Sequence, residues 1–345
     1  MGLKIKDIVL KQPIKISDLS GKVLAVDTMN LLYQFLTTIR GPDGNPFTNN
    51  SGAVTSHLIG LFNRVTSLMA QDLKLIFVFD GKAPDLKRVT WEKREAAKKK
   101  ASLLLEEARE AGDSEGMRKY AGRTVKLSRE MIEDSKEVIR LLGLPVVQAP
   151  SEGEAQASHM VATGKAYGCV SQDYDNIVFG CPRLIRNLSI AGRRKRAGKF
   201  AHDKIEPEQI ILDENLTLWE LDSDQLIVLA VLIGTDYNPD GIKGIGQKKG
   251  LKLVKQFGHD FEALFSSVNW SELYPDLAWK EVFSVIKDMP VTDDYDASFK
   301  DVDFEGLVSC LVGKHEFNED RVRSKLGGLV EAKKAKAQKG LGEWF

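Results

Sequence analysis

Lys22-Val-Leu-Ala-Val-Asp27 is an apolar run of strand length that stops on a carboxylate. Leu75-Ile-Phe-Val-Phe-Asp80 and Tyr167-Gly-Cys-Val-Ser-Gln-Asp173 repeat the arrangement. Runs this short and this apolar predict strands buried on both faces, as in a parallel sheet. In an open α/β sheet the carboxyl ends of such strands gather along one edge, where ligands bind. The three aspartates are therefore expected to converge. Glu152, Glu154, Asp175 and Asp236 close other apolar runs and turns and are expected on the same rim. So much negative charge in one cleft is tolerable only with hard cations, and Mg²⁺ prefers oxygen ligands with retained waters. The pattern points to a metal-dependent enzyme.

Each acid taken singly has a plainer explanation, because Asp and Glu favour caps, turns and strand ends. Glu154 stands three residues after Ser151, the spacing of a capping box with Ser151 as N-cap. Asp173-Tyr-Asp175 is more specific, since residues i and i+2 at a strand exit can point to one side. Thr235-Asp-Tyr-Asn-Pro239 delivers the last acid just after the apolar helix expected over Leu226 to Ile233.

The chain has 345 residues, 43% hydrophobic and 28% charged, which suits a large globular core. No apolar run approaches the roughly 20 residues that cross a bilayer. Ile8-Val-Leu10 is interrupted at once by Lys11, so no signal-peptide core is expected. Cys169, Cys181 and Cys310 are too scattered for a disulfide framework or a zinc site, and an intracellular, reduced setting is expected. Net charge is zero, yet the charges are segregated. Eight basic residues stand against three acids between Lys82 and Lys100, Arg193-Arg-Lys-Arg196 has no acid nearby, and Gly241 to Gly258 carries five lysines and no acid.

Up to about residue 235 strands and helices alternate, with helices expected over Met29 to Arg40, Ser56 to Ala70 and Ser128 to Leu142, and a strand over Pro145 to Gln148. Gly41-Pro-Asp-Gly44 is a turn signal. The exception is 81–127, a Lys/Arg/Glu/Ala-rich helical excursion broken at Gly112-Asp-Ser-Glu-Gly116 and expected to project as a basic arm. The expected fold class is α/β, a mostly parallel central sheet flanked by helices, with a helical arch and a helix-hairpin-helix element. A single domain over 1–330 divides into 1–127, 128–260 (hairpin element 226–258) and a helical 261–330. The Lys/Ala-rich 331–345 is expected to be a flexible tail.

Lys87 and Arg94 lie seven apart on one face of the arm, just past Asp80, where they overlook the acids and can bind a phosphodiester. Tyr33, six residues past Asp27, can stack on a base. Both features also fit a solvated basic face and an ordinary core aromatic. Gly241-Ile-Lys-Gly-Ile-Gly246 followed by Lys248 and Lys249 permits a tight hairpin whose backbone N–H groups, at Gly244 and Gly246 above all, approach phosphates without reading sequence. At the end of the chain Gln338-Lys-Gly-Leu341-Gly-Glu-Trp344-Phe345 places Leu341, Trp344 and Phe345 on one face of a helical turn, an anchor for a partner's groove or for the chain's own surface.

Together, Val26-Asp-Thr28, Val78-Phe-Asp-Gly-Lys82, Ala149-Pro-Ser-Glu-Gly-Glu-Ala155, Ser171-Gln-Asp-Tyr-Asp175, Leu232-Ile-Gly-Thr-Asp236, Gly241-Ile-Lys-Gly-Ile-Gly246 and Arg321-Val-Arg-Ser324 resemble the flap endonuclease family over almost the whole chain. The resemblance implies a structure-specific 5′ flap endonuclease and 5′-3′ exonuclease of DNA replication and repair, working through two Mg²⁺ that Mn²⁺ can replace. By it, Asp27, Asp80, Glu152, Glu154, Asp173, Asp175 and Asp236 match the seven metal-site acids, and Lys87 and Arg94 the catalytic cations of the arch. Tyr33 matches the stacking aromatic, and Lys82, Gly244, Gly246, Lys248 and Lys249 fall among DNA contacts, with K⁺ a further ligand of the hairpin. Gln338, Leu341, Trp344 and Phe345 match a peptide that docks on a sliding clamp of the proliferating cell nuclear antigen type. A monomer working beside chromosomal DNA is implied, in the cytoplasm or nucleoid, since a docking peptide that ends the chain looks archaeal.

Three positions depart from the pattern. Gln247 stands where the hairpin often has Pro, Gly250 where it often has Ala, and Asn49-Asn-Ser-Gly52 lacks acids expected beside a 3′-flap pocket. Two rival readings differ in class. A phosphomonoester hydrolase would want Asp-x-Asp on the first strand, which here ends Asp27-Thr-Met-Asn30. A clamp-bound DNA adaptor that has lost its chemistry would have no use for all seven acids.

Overall fold

The computed structural model describes residues 3–41, 44–190, 192–195 and 202–342. The strands are β1 (Gln12–Pro13), β2 (Val23–Asp27), β3 (Lys74–Phe79), β4 (Val146–Gln148), β5 (Gly168–Val170), β6 (Arg183–Arg186), β7 (Gly192–Lys195), β8 (His202–Ile205) and β9 (Glu208–Ile211). Seven form one sheet in the order β1-β9-β6-β5-β2-β3-β4, while β7 and β8 pair as a separate antiparallel ribbon. The five strands from β6 to β4 are mutually parallel, and β9 and β1 continue the sheet through antiparallel pairings. A mostly parallel sheet is what the apolar runs imply.

From β2 the chain steps outward to β3 and β4, then returns to build β5 and β6 on the other side of β2. The junction of β2 and β5 is thus a topological switch point, the place where open α/β sheets leave a crevice beyond the strand ends. Asp27 ends β2, and Asp173 follows β5 by three residues.

Side chains alternate across the sheet with period two. Leu24, Val26, Leu75, Phe77 and Phe79 join one core, where α1 (Thr28–Thr38), α2 (Ser56–Ala70), α5 (Arg129–Leu141) and α15 (Glu319–Gly342) pack. Ala25, Ile76, Val78, Val147 and Cys169 join the other, covered by α6 (Gly153–Ala162) and α9 (Ser223–Ile233). Every residue of α9 from Gln225 to Ile233 is buried, the mark of a helix packed on all sides. Burying one such Leu or Ile stabilises by roughly 1.5–3 kcal/mol.

The arm consists of α3 (Arg88–Glu110) and α4 (Ser114–Ala121). Gly112, at φ +63°, ends the first, and Asp113 caps the second by accepting the N–H groups of Glu115 and Gly116. Polar as the pair is, Ala101, Leu105, Ala108 and Ala121 are buried in it. The short α7 (Asp175–Val178) and α8 (Leu212–Trp219) fill the middle of the chain, and α10 (Gln247–Phe257), α11 (Phe261–Ser267), α12 (Trp270–Leu273), α13 (Trp279–Lys287) and α14 (Phe304–Val308) its later part.

Two local expectations change. The N-cap of α6 is Glu152, not Ser151, whose hydroxyl donates instead to the Lys82 carbonyl. The capping box therefore does not form, and Glu154 is left for other duty. The Lys/Ala-rich segment expected as a flexible tether instead continues α15 to Gly342, because Ala, Lys, Glu and Gln are strong helix formers. Among the described residues no helix is long and apolar enough to cross a membrane.

Candidate metal centre and nucleic-acid interface

The backbone brings the acids together in two ways. Gly81 lets the chain leaving β3 press against the segment leaving β4, since a Cβ there would lie 2.1 Å from the Ala149 carbonyl oxygen. Gly81 N–H donates to Ser151 O and Lys82 N–H to Pro150 O. Asp80 then accepts the Gly153 N–H at 2.8 Å, at the start of α6, which seats it beside Glu152 and Glu154. At the switch point Asp27 caps α1 by accepting the Asn30 N–H and also accepts the Ser171 hydroxyl at 2.9 Å. Asn30 Nδ2 donates to Asp173 at 2.7 Å.

Glu154, Asp173 and Asp175 each place a carboxylate oxygen within 4.8 Å of the others, close enough to share one ion. Among the described residues no Lys or Arg forms an ion pair with any of the three. Glu152 and Asp236 stand differently. Lys87, which stands not on the helix face with Arg94 but in the turn before α3 as its N-cap, places Nζ 2.5 Å from Glu152 Oε2 and 3.3 Å from Asp236 Oδ2. Arg94 Nη2 donates to both Asp236 oxygens, at 2.6 and 2.8 Å, and Thr90 between them donates to the Asp236 carbonyl. The two arm cations thus do more than overlook the acids: they are bonded to them.

Electrostatics record the crowding. Burial, and then the charges of Asp80 and Asp173, push Asp27 up to about 7. Burial and the neighbouring Asp173 push Asp175 up to about 7. Burial, reinforced by Asp175 and Asp27, holds Glu154 well above the carboxylate range. Glu152 is raised by burial that Lys87 only partly offsets. Asp80 is raised for the same reason although it opens onto the cleft, where solvent screens part of the effect. Burial alone would lower Lys87; Glu152, Glu154 and Asp236 reverse this and hold its ammonium above the ordinary lysine value.

These residues fit a divalent ion on the structure's own terms. Glu152 is only 3% exposed, and its Oε1 is buried with no hydrogen-bond partner. A buried, unpaired carboxylate oxygen costs free energy that a hard cation removes. A cavity of about 20 Å³ lined by Lys87, Glu154, Asp175 and Asp236 holds about one water-sized species. A larger cleft of about 740 Å³ lies beyond Tyr237, between the base of the arm and Leu273–Leu277, outside the acid cluster.

Tyr33 is 38% exposed, and Lys98 of the arm sits 5.7 Å from its ring centre. Lys82 is exposed on the rim. The hairpin forms a separate surface between α9 and α10. Ile242 and Ile245 are buried and anchor it, while Gly244, Gly246, Lys248 and Lys249 face solvent. Gly241 (φ +54°) has no room for a Cβ, which would meet the Ile233 backbone at 2.5 Å. The Tyr274 hydroxyl donates to its carbonyl. The departures from the family pattern find local reasons. Gln247 exchanges hydrogen bonds with Asp7 that proline could not make. At Gly250 a Cβ would meet Leu229 Cδ1 at 2.8 Å, so glycine lets α10 lie close on α9. Near Asn49–Gly52, Glu316 supplies an acid from elsewhere, accepting the Asn50 N–H at 2.7 Å.

Gln338 and Leu341 lie in α15 by backbone, their side chains outside the described set, and Trp344 and Phe345 lie outside the described residues. Asn30, Ser171 and Thr90 belong to the site as neutral hydrogen-bond donors, a residue type that a pattern of acids and bases does not single out. A signal existed, since Ser171 stands two residues before Asp173 and Asn30 one helical turn past Asp27.

Residues 3–101 match the family described as XPG N-terminal domain, and 143–236 the XPG I-region. Flap endonuclease 1 of Pyrococcus horikoshii is 46% identical over 345 residues, covering all of this chain and 98% of that protein. Flap endonuclease 1 of Aeropyrum pernix is 42% identical over the whole of both chains. Among solved structures, flap endonuclease-1 from Methanococcus jannaschii aligns with TM-score 0.74 and 40% identity, over 97% of this chain and 100% of that one. The catalytic core of Rad2 in complex with DNA substrate aligns at 0.70 over 95% and 100%, and at 22% identity shares the fold.

Proposed function

The chain belongs to the flap endonuclease family, and from that premise we propose how its residues act on DNA. It is a structure-specific flap endonuclease that hydrolyses a phosphodiester where single-stranded DNA meets duplex. Two divalent ions, Mg²⁺ with Mn²⁺ able to replace it, would polarise a water and neutralise the leaving 3′ oxygen. Asp80, Glu152, Glu154 and Asp173 hold the pair most directly, with Asp27, Asp175 and Asp236 completing the set. The observation that carries this reading is the buried, unpaired Glu152 oxygen beside three acids that form no ion pair with a described lysine or arginine.

Lys87 and Arg94 exchange Glu152 and Asp236 for the scissile phosphate when DNA enters, and stabilise charge that builds on it. Tyr33 stacks on the base beside the scissile bond. Lys82 steadies the strand at the rim. The hairpin, through the Gly244 and Gly246 backbone and Lys248 and Lys249, grips duplex phosphate, with K⁺ as its monovalent ion. The 5′-3′ exonuclease activity and a place in Okazaki fragment maturation and repair follow from the same site. The enzyme acts as a monomer in the cytoplasm or nucleoid, and Gln338, Leu341, Trp344 and Phe345 tie it to a sliding clamp.

Cleavage mapping on an end-labelled double-flap substrate, with and without Mg²⁺, tests the core of this. Incision at the junction that depends on the ion is the expected result. Cutting that ignores the junction, or that proceeds equally in chelator, would overturn it.

A further inference from the structure

Four residues close a hydrogen-bonded ring across the switch point. The Asn30 backbone N–H donates to Asp27 Oδ1 at 3.1 Å, and the Asn30 side-chain amide donates to Asp173 Oδ2 at 2.7 Å. The Asp173 backbone N–H donates to Ser171 Oγ at 3.2 Å, and that hydroxyl donates to Asp27 Oδ2 at 2.9 Å. The buried Asp27 carboxyl and the half-buried Asp173 carboxyl are thereby held side by side by neutral donors, with no lysine or arginine in the ring. Asp27 and Ser171 are each 4% exposed, so solvent offers little alternative on that side of the ring, while Asn30 and Asp173 are half-buried.

We propose that Asn30 and Ser171 are positioning residues that fix the Asp27 and Asp173 carboxylates in their ion-binding orientation before any ion arrives. A carboxylate free to rotate loses conformational freedom when it takes up a ligand position. With one Asp173 oxygen held by the Asn30 amide and both Asp27 oxygens held, that ordering is already done. The ring also explains how β2 and β5, paired only as far as Val26 and Val170, stay in register at their carboxyl ends: side chains replace the ladder where the crevice opens. Because an asparagine or serine donor cannot compete with an ion for the cleft as a lysine does, the ring orients without occupying.

This inference rests on the metal-dependent reading above, and its test separates the two. Mn²⁺ binding to the DNA-free protein would be followed by electron paramagnetic resonance, alongside kcat and KM on flap DNA and thermal melts. Asn30→Ala and Ser171→Ala should each weaken Mn²⁺ binding about 10-fold or more, the scale on which groups orienting metal ligands act. They should lower kcat comparably and leave KM within about twofold. Ser171→Thr, which keeps the hydroxyl, should restore most of the loss. Asn30→Leu, which fills the space without the donor, should behave like the alanine variant and guards against a folding defect. Because the ring acts as a unit, the double alanine variant should be little worse than the weaker single one. Unchanged Mn²⁺ affinity and kcat in the single variants, or losses that simply multiply, would overturn the proposal. A wild-type protein that neither binds Mn²⁺ nor cuts flap DNA would instead overturn the metal reading itself.

Discussion

Two halves of the acidic cleft solve the same electrostatic problem differently. Glu154, Asp173 and Asp175, delivered by α6 and the exit of β5, form no ion pair with a lysine or arginine among the described residues; neutral donors, the Asn30 amide on Asp173 and the Leu3 N–H on Asp175, stand there instead. Glu152 and Asp236 are instead paired with Lys87, at the base of the arm, and Arg94, in α3. The first half is open to a cation from solution in the reading proposed above; the second already has cations, carried by the arm and its base. Preorganised charge and exchangeable charge are thus separated within one site.

Four experiments strain that contrast. The largest effect is expected from Asp173→Ala, which removes an acid from the unneutralised half: kcat should fall by about a thousandfold or more, on the order of 4 kcal/mol of transition-state stabilisation. Flap-DNA binding, measured by anisotropy in chelator, should stay within a few-fold. Equal loss of binding and cutting would erase the distinction between the halves.

Lys87→Ala attacks the other half. Single-turnover cleavage should slow by about 10²–10³-fold, the scale for losing one charge-stabilising donor. The same change frees Glu152 and part of Asp236, so calorimetric titration of the DNA-free variant should show a tighter second Mn²⁺ than wild type. No gain in ion affinity would mean that the arm lysine does not compete for these acids.

The effect of pH is expected to be smaller and opposite to the usual behaviour of carboxylates. Asp27 and Asp175 are raised from 3.8 to about 7 by burial and their acidic neighbours. The folded, ion-free protein therefore keeps protons that the unfolded chain has released, and its stability falls as pH rises from about 4 through about 7. Melting in chelator should drop by several degrees over that window, and saturating Mg²⁺ should abolish the drop. A melting temperature that rises with pH in chelator would contradict the burial of these acids.

Gly250→Ala touches neither half and sharpens the contrast as a control. The new Cβ must push Leu229 or α10 aside, costing about 1 kcal/mol. A few-fold rise in KM for duplex-containing substrate with unchanged kcat would place the hairpin in binding alone.

Much of this architecture was legible beforehand for a simple reason. Apolar runs ending on acids report both the strand and its functional end, so β2, β3, β5 and the rim around Asp27, Asp80 and Asp173 could be anticipated from three segments. Capping at Ser151 failed because backbone contacts from Gly81 and Lys82 recruited that serine, a tertiary demand that local spacing does not express. The direct grip of Lys87 and Arg94 on Glu152 and Asp236 was equally hidden: helical periodicity tells which face a residue occupies, but not how far the helix leans. Asn30 is signalled only weakly, by its place one helical turn past Asp27, because its amide's partner is an acid 143 positions away.

The helix α15 has a geometric corollary. Its 24 residues form a strut about 36 Å long, rooted in the core through Val322, Leu326 and Leu329. Gly342 is carried at the tip of a stiff lever rather than on a slack leash. Such a mount narrows the volume that the tip can sweep and fixes the direction in which it leaves the core.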